Sequence, residues 1–259
     1  AWQGTRLDRP GPNPPVVLTT AWGQRIVPTI DTLADNAAWR ALQPGQTWEQ
    51  GQAAAEQTRR EYAAGKLQLT RTPWTVAEGV WAIGPWNSEQ NIYLIDTGEG
   101  LVLVDPSLDA YQDEVVAEIE GLGFRAEQVK WVVLTHCHID HAQSCQSWKE
   151  RGAQIIAGAG DAPELAACSD VIAKDFTPLA KGRCTPCVAD RQVRDGEVLK
   201  LGRLELHAIG SPGHTPGSTS FAFQRGGKWL LLSGDIALHA GRQAWMGGVK
   251  ADWGQYLGS

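Results

Sequence analysis

The chain has 259 residues, 42% of them hydrophobic, with 23 basic against 29 acidic side chains and a net charge of -6. That length suits one large domain, or one domain with an extension. No apolar run approaches the ~20 residues of a membrane helix and no Lys/Arg block forms the basic patch of a non-specific nucleic-acid binder, so the expected partner is a small molecule, not nucleic acid or membrane.

Residues 1–70 read as an N-terminal arm. Pro10-Gly-Pro-Asn-Pro-Pro15 makes an extended start, and the spacing predicts helices over 31–42 and 47–64, the second stopped by Gly65. The chain begins Ala1-Trp2 and its only Met is Met246, which fits secretory cleavage before a small residue and a periplasmic or secreted product. From Trp74 the pattern changes, and 71–259 read as the main domain. Short apolar runs predict strands over 80–83, 91–96 and 101–104. Val115, Val116, Ile119 and Leu122 recur at helical spacing before Gly123, which predicts a helix over 111–122. A strand over 129–134, a helix over 141–151, a strand over 154–157 and a helix over 161–168 with Pro163 in its first turn follow. Four more strands are expected over 197–201, 204–209, 219–223 and 229–232. That order predicts an α+β fold of two sheets with helices outside.

Five cysteines, Cys137, Cys145, Cys168, Cys184 and Cys187, leave at least one thiol unpaired. Cys184-Thr-Pro-Cys187 has no second pair to complete a four-thiolate metal site, so a disulfide among Cys168, Cys184 and Cys187 is expected, with the pairing open.

The chemistry concentrates in three places. The strand over 129–134 runs into Thr135-His-Cys-His-Ile-Asp-His141. Residues two apart in an extended chain face the same side, so His136 and His138 converge, and Asp140 and His141 follow as the chain turns into a helix. Three imidazoles and a carboxylate in six residues suit zinc, and burying them without a cation is costly. Taken alone, Asp140 reads more readily as a helix N-cap and the histidines as satisfied core residues; their clustering argues otherwise. The second place is Ser211-Pro-Gly-His-Thr-Pro-Gly-Ser218, a rigid turn with His214 at its apex. The third is Trp229-Leu-Leu-Leu-Ser-Gly-Asp235, a buried strand that leaves the Asp235 carboxylate at a sheet edge. His207, in an alternating strand, and His239, too close behind Asp235, are left out of the site.

These elements, in this order, resemble the metallo-β-lactamase-fold superfamily over about Trp74 to Asp235. The resemblance implies a four-layer αβ/βα sandwich with metals at one edge, carrying the N-terminal helical arm. It implies that His136, His138 and His214 bind a first zinc, that Asp140 and His141 bind a second, and that Asp235 bridges them. It also leads one to expect a further histidine ligand after Asp235. Only 24 residues follow Asp235, and none from Ala240 onward is His, so the sequence is expected to stop short of the natural C-terminus.

The expected activity is that of a two-zinc hydrolase, with hydroxide generated on the metal attacking a carbonyl carbon or phosphorus and Asp140 as the catalytic residue that orients it and shuttles a proton. Ala189-Asp-Arg-Gln-Val-Arg-Asp-Gly-Glu-Val-Leu199 and Thr215-Pro-Gly-Ser-Thr-Ser220 are similar to the third subclass of true metallo-β-lactamases, whereas a bridging Asp235 is similar to lactonases, glyoxalase-type thioesterases and organophosphate hydrolases. A carboxylic ester, lactone or thioester ranks first, a β-lactam second and a phosphoester third. Two readings from other classes compete: an iron-dependent oxidoreductase of the sulfur dioxygenase kind, and a non-catalytic binding module.

Overall fold

Leu101–Val104 is four apolar residues with both faces buried, and it organises the molecule. Leu101 and Leu103 point into one core, Val102 and Val104 into another. The same division recurs on neighbouring strands: Val132 against Val133, Ile155 and Ala157 against Ile156. A strand with period-two side chains and no polar face must be covered on both sides, as in parallel sheets flanked by other layers. Each fully buried Val, Leu or Ile contributes about 1.5–3 kcal/mol to that arrangement.

The structure, a computed structural model, describes residues 73–173 apart from 88 and 89, residues 184–238, and positions 18–19, 25–26, 53, 56, 57, 60, 64, 242–243 and 252. The helix expected over 31–42 lies outside the described residues; within 47–64 only 53, 56, 57 and 60 are described as helical. Two short strands, β1 (Leu18–Thr19) and β2 (Arg25–Ile26), pair antiparallel.

Seven strands form the first sheet in sequential order: β3 (Trp74–Ala77), β4 (Val80–Asn87), β5 (Gln90–Asp96), β6 (Leu101–Val104), β7 (Val129–Val133), β8 (Gln154–Gly158) and β9 (Arg191–Val193). β3 to β6 are antiparallel and β6 to β9 are parallel. Helices fill the crossovers: α1 (Gln112–Gly121) between β6 and β7, α2 (Ile139–Ala142) and α3 (Cys145–Glu150) between β7 and β8, and α4 (Ala162–Ala167) and α5 (Asp170–Ala173) after β8. Val115 and Ile119 of α1, Trp148 of α3 and Leu165 of α4 seal the outer core.

The second sheet is the meander β10 (Val198–Leu201), β11 (Leu204–Gly210), β12 (Thr219–Arg225) and β13 (Lys228–Leu232). Leu199, Leu206, Ala208, Phe221 and Phe223 face the first sheet. Their outward neighbours Val198, Ile209, Trp229 and Leu231 stay exposed among the described residues, which therefore fill three of the sandwich's layers: helices, sheet, sheet. A two-residue pair, β14 (Ala237–Leu238) with β15 (Arg242–Gln243), follows.

One expectation needs correction, and one strand lies outside the expected set. The helix over 141–151 is broken between α2 and α3, because Ser144 gives its backbone N–H to the Ser107 carbonyl and its hydroxyl to the Pro106 carbonyl. Arg191–Val193, too short and polar to register as a strand, becomes the sheet edge by pairing with β8. The disulfide joins Cys168 to Cys184; Cys137, Cys145 and Cys187 are buried free thiols.

Topology decides where the chemistry falls. β6, β7 and β8 run parallel, so residues 105, 135–141 and 159–161 all leave the same sheet edge, the carboxyl edge at which open α/β sheets bind ligands. β11 and β13 are both antiparallel to β12 and hence run alike, so the turns holding His214 and Asp235 share one edge of the second sheet.

Candidate metal centre

The histidine segment starts from a restrained end. Asp105, just past β6 in a left-handed conformation (φ 50°), accepts the Thr135 N–H at 2.8 Å and its hydroxyl at 2.6 Å. The same carboxylate lies 3.0 Å from His141 Nδ1. The Ser107 N–H meets the His141 carbonyl, so residues 105–107 clamp both ends of 135–141. Behind them Gln112 donates to the carbonyls of Pro106 and Leu108.

Within that clamp the rings converge although the strand ends at Val133. His136 Nε2 is 3.1 Å from His138 Nδ1. Ring centroids are 4.7 Å apart for His136–His138, 4.8 Å for His136–His214 and 4.5 Å for His138–His214. His214 gets there because its turn is tied shut: Ser211 N–H to the Ser218 carbonyl, Thr215 N–H to the Ser218 hydroxyl, and Thr219 N–H to the Thr135 carbonyl.

Asp235 follows β13 in a tight turn whose Gly234 has φ 57°, and a Cβ there would lie 2.8 Å from Thr135 Cβ. Only glycine takes that backbone at that distance without strain. Asp235 thus spans the cluster, with Oδ1 3.5 Å from His141 Nε2 and Oδ2 3.7 Å from His214 Nε2. Two groups can hold a cation: His136, His138 and His214, all buried, and His136, His141 and Asp235; the candidate ligand atoms within each group lie within 4.8 Å of one another. Asp140 completes the surround, its Oδ2 3.7 Å from His141 Nε2. It is not the helix cap, a position that falls to His138.

Electrostatics fit a cation. Burial, reinforced by the imidazoles of His141, His138 and His214, holds His136 well below its usual range. Burial and then His214 do the same to His138, against the pull of Asp235. Neutral imidazoles are the form that ligates metal. Burial also opposes charge on His141, yet Asp235, Asp140 and Asp105 together hold it well above the usual value. Burial pushes Asp140 up to about 6 in spite of His141. For Asp235, 23% exposed along its side chain, burial is outweighed by His141, His214 and His138, and its carboxyl sits below the usual range. Asp140 Oδ1 and His141 Nε2 are buried with no hydrogen-bond partner among the described residues. Buried polar atoms left so are costly, and a divalent cation among N and O donors of this kind satisfies them.

The structure gathers all six residues singled out in the sequence. His207 stays apart, half-buried against Trp229 at 5.3 Å, and His239 lies outside the described residues. Two carboxylates escaped the sequence reading: Asp105 and Asp161. Asp105 ends the apolar strand Leu101–Val104 just as Asp235 follows Lys228–Leu232, and that shared pattern was the available signal. Asp161 read only as the start of a helix.

A sequence profile of the metallo-beta-lactamase superfamily matches residues 86–257. Among curated proteins, the mitochondrial persulfide dioxygenase of Bos taurus is 30% identical over 141 residues, covering 54% of this chain and 44% of its own. The hydroxyacylglutathione hydrolase of Chelativorans sp. (strain BNC1) is 29% identical over 137 residues, covering 52% and 44%. The chain thus spans less than half the length of either relative. Among solved structures, a subclass B3 metallo-beta-lactamase of Bradyrhizobium japonicum superposes with a TM-score of 0.57 at 26% identity, covering 71% of this chain and 70% of that one. Site geometry, sheet order and matched profile agree: the chain belongs to the metallo-beta-lactamase superfamily.

Proposed function

We propose that the chain is a two-zinc hydrolase that cleaves a carboxylic ester, lactone or thioester. The observation that carries this reading is the placement of Asp235 between His141 and His214, at 3.5 and 3.7 Å, so that one carboxylate serves both ligand groups. In this reading His136, His138 and His214 hold one ion, Asp140 and His141 the other, and Asp235 lies between. Two ions so held would supply the nucleophile by lowering the pKa of water from 15.7 to ~7. The chain's own residues orient and move protons. Asp140, buried with its Oδ2 3.7 Å from His141 Nε2, would orient that nucleophile and carry its proton to the leaving group. Asp105 keeps His141 turned inward through its Nδ1. Similarity to a hydroxyacylglutathione hydrolase supports the thioester member of the substrate class.

Hydrolysis of chromogenic esters, lactones, thioesters and cephalosporins, with zinc and with chelator, tests the proposal together with metal analysis of the purified protein. Zinc-dependent turnover of the first three is expected. Turnover of cephalosporins alone overturns the substrate class in favour of a β-lactam, which the B3 structural likeness supports. Iron in the purified protein with oxygen uptake overturns hydrolysis, an outcome that similarity to a persulfide dioxygenase favours. Export belongs to the same proposal, since a Cys168–Cys184 disulfide suits an oxidising compartment. Recovery of the chain only from the cytosolic fraction of its source cells overturns that part.

A further inference from the structure

We propose that Asp161 is a positioning residue for the metal centre, holding the two histidine-bearing segments in register through their backbones; this rests on the metal reading above. Asp161 is 1% exposed and stands at the N-cap of α4, where an aspartate ordinarily accepts N–H bonds from its own helix. It makes no such bond. Its Oδ2 instead accepts the Cys137 N–H at 2.9 Å and the Thr215 hydroxyl at 2.7 Å, and its Oδ1 accepts the Gly217 N–H at 2.6 Å.

Cys137 lies between His136 and His138, and Thr215 follows His214. One carboxylate thus ties β7's exit to the turn after β11, two segments 78 residues apart between Cys137 and Thr215 and on different sheets. The glycines around it let the backbones close up. A Cβ on Gly158 would lie 2.0 Å from the Gly217 carbonyl oxygen, one on Gly160 2.5 Å from that of Pro216, and one on Gly217 2.2 Å from the Asp161 nitrogen. Three charge-assisted bonds from one rigid carboxylate fix separation and tilt together. Asp161 bonds to no imidazole in the cluster, so its effect on the cation passes through the backbone.

Asp161→Asn preserves shape and removes an acceptor: whichever way the amide turns, its NH2 confronts the N–H of Cys137 or of Gly217. Zinc affinity, measured by competition with a chromogenic chelator, is expected to fall about 10- to 100-fold. The cobalt(II) ligand-field absorption of the same variant is expected to shift, while unfolding stays cooperative. Asp190→Asn is the control: Asp190 also accepts a backbone N–H, that of Ile155 at 2.8 Å, but outside the cluster, and zinc affinity should not change. Should Asp161→Asn fail to fold, Thr215→Val removes one of the three bonds and leaves Asp161 in place, with about a fivefold loss expected. Unchanged zinc affinity and cobalt absorption in Asp161→Asn, or in Thr215→Val where that variant stands in, overturn this inference alone. An unsubstituted chain that takes up neither metal overturns the metal reading, and this inference falls with it.

Discussion

His138 and His141 stand three residues apart, both buried, and burial drives both imidazoles towards neutrality. Yet His138 ends well below its usual range and His141 well above it. The difference is the company of carboxylates. His138 faces imidazoles, with Asp235 as its one acidic influence, whereas His141 answers to Asp235, Asp140 and Asp105. One half of the cluster is therefore a set of neutral imidazoles, the form that can ligate a cation. The other already balances charge internally, so a cation entering there displaces a proton from His141. Histidines that look equivalent along the chain differ in the charge their neighbours impose.

The sharpest break of that contrast is His138→Ala, which strips the neutral half. Structural zinc binding of about 10–16 kcal/mol shared among four ligands amounts to roughly 3 kcal/mol each, so about a hundredfold weaker zinc is expected. Chelator competition measures it; unchanged affinity removes His138 from the site. Next comes Gly234→Ala, which disturbs the carboxylate common to both halves. A Cβ at φ 57° and 2.8 Å from Thr135 should cost about 1–3 kcal/mol, seen as a lower unfolding midpoint. Asp105→Asn acts chiefly on the charged half, where the carboxylate faces His141 Nδ1, and more weakly on the other through Thr135. About a tenfold loss for the second ion, with the first retained, is expected from a two-site metal titration.

The mildest effect is a pH slope in chelator-treated protein. His136 and His138 are depressed in the folded chain, so their contribution is present above pH 6.5 and is lost as pH falls from there through their folded values. His141 is raised, so its contribution is full below 6.5 and is lost as pH rises through its folded value. Denaturant unfolding between pH 7 and 5 should show weaker stability towards acid, offset in part by Asp140, whose carboxyl, raised to about 6, adds stability as pH falls through that value, and His138→Gln should flatten that slope. A slope unaltered by the substitution removes the assigned cause.

Reading Leu101–Val104, Val129–Val133 and Leu204–Gly210 as strands needed only their apolar runs, because a buried strand is written in side chains a few residues apart. The break at Ser144 was not legible, since the carbonyls that capture its N–H and hydroxyl, Ser107 and Pro106, arrive from a different crossover. Nor was β9, whose polar residues form a strand only because β8 offers an edge.

The sequence by itself determined which side chains can carry metal chemistry: His136, His138, Asp140 and His141 crowd one segment, and His214 and Asp235 each follow an apolar strand at a turn. Local chemistry and period-two geometry suffice for that, as both act over a few residues. Only the tertiary structure decided that Asp105 would clamp the segment, that Asp161 would tie it to the His214 turn, and that Cys168 rather than Cys187 would pair with Cys184. Those outcomes depend on which strand ends meet at one sheet edge. That is settled by burying two cores at once, a condition on the whole chain and not on any stretch of it.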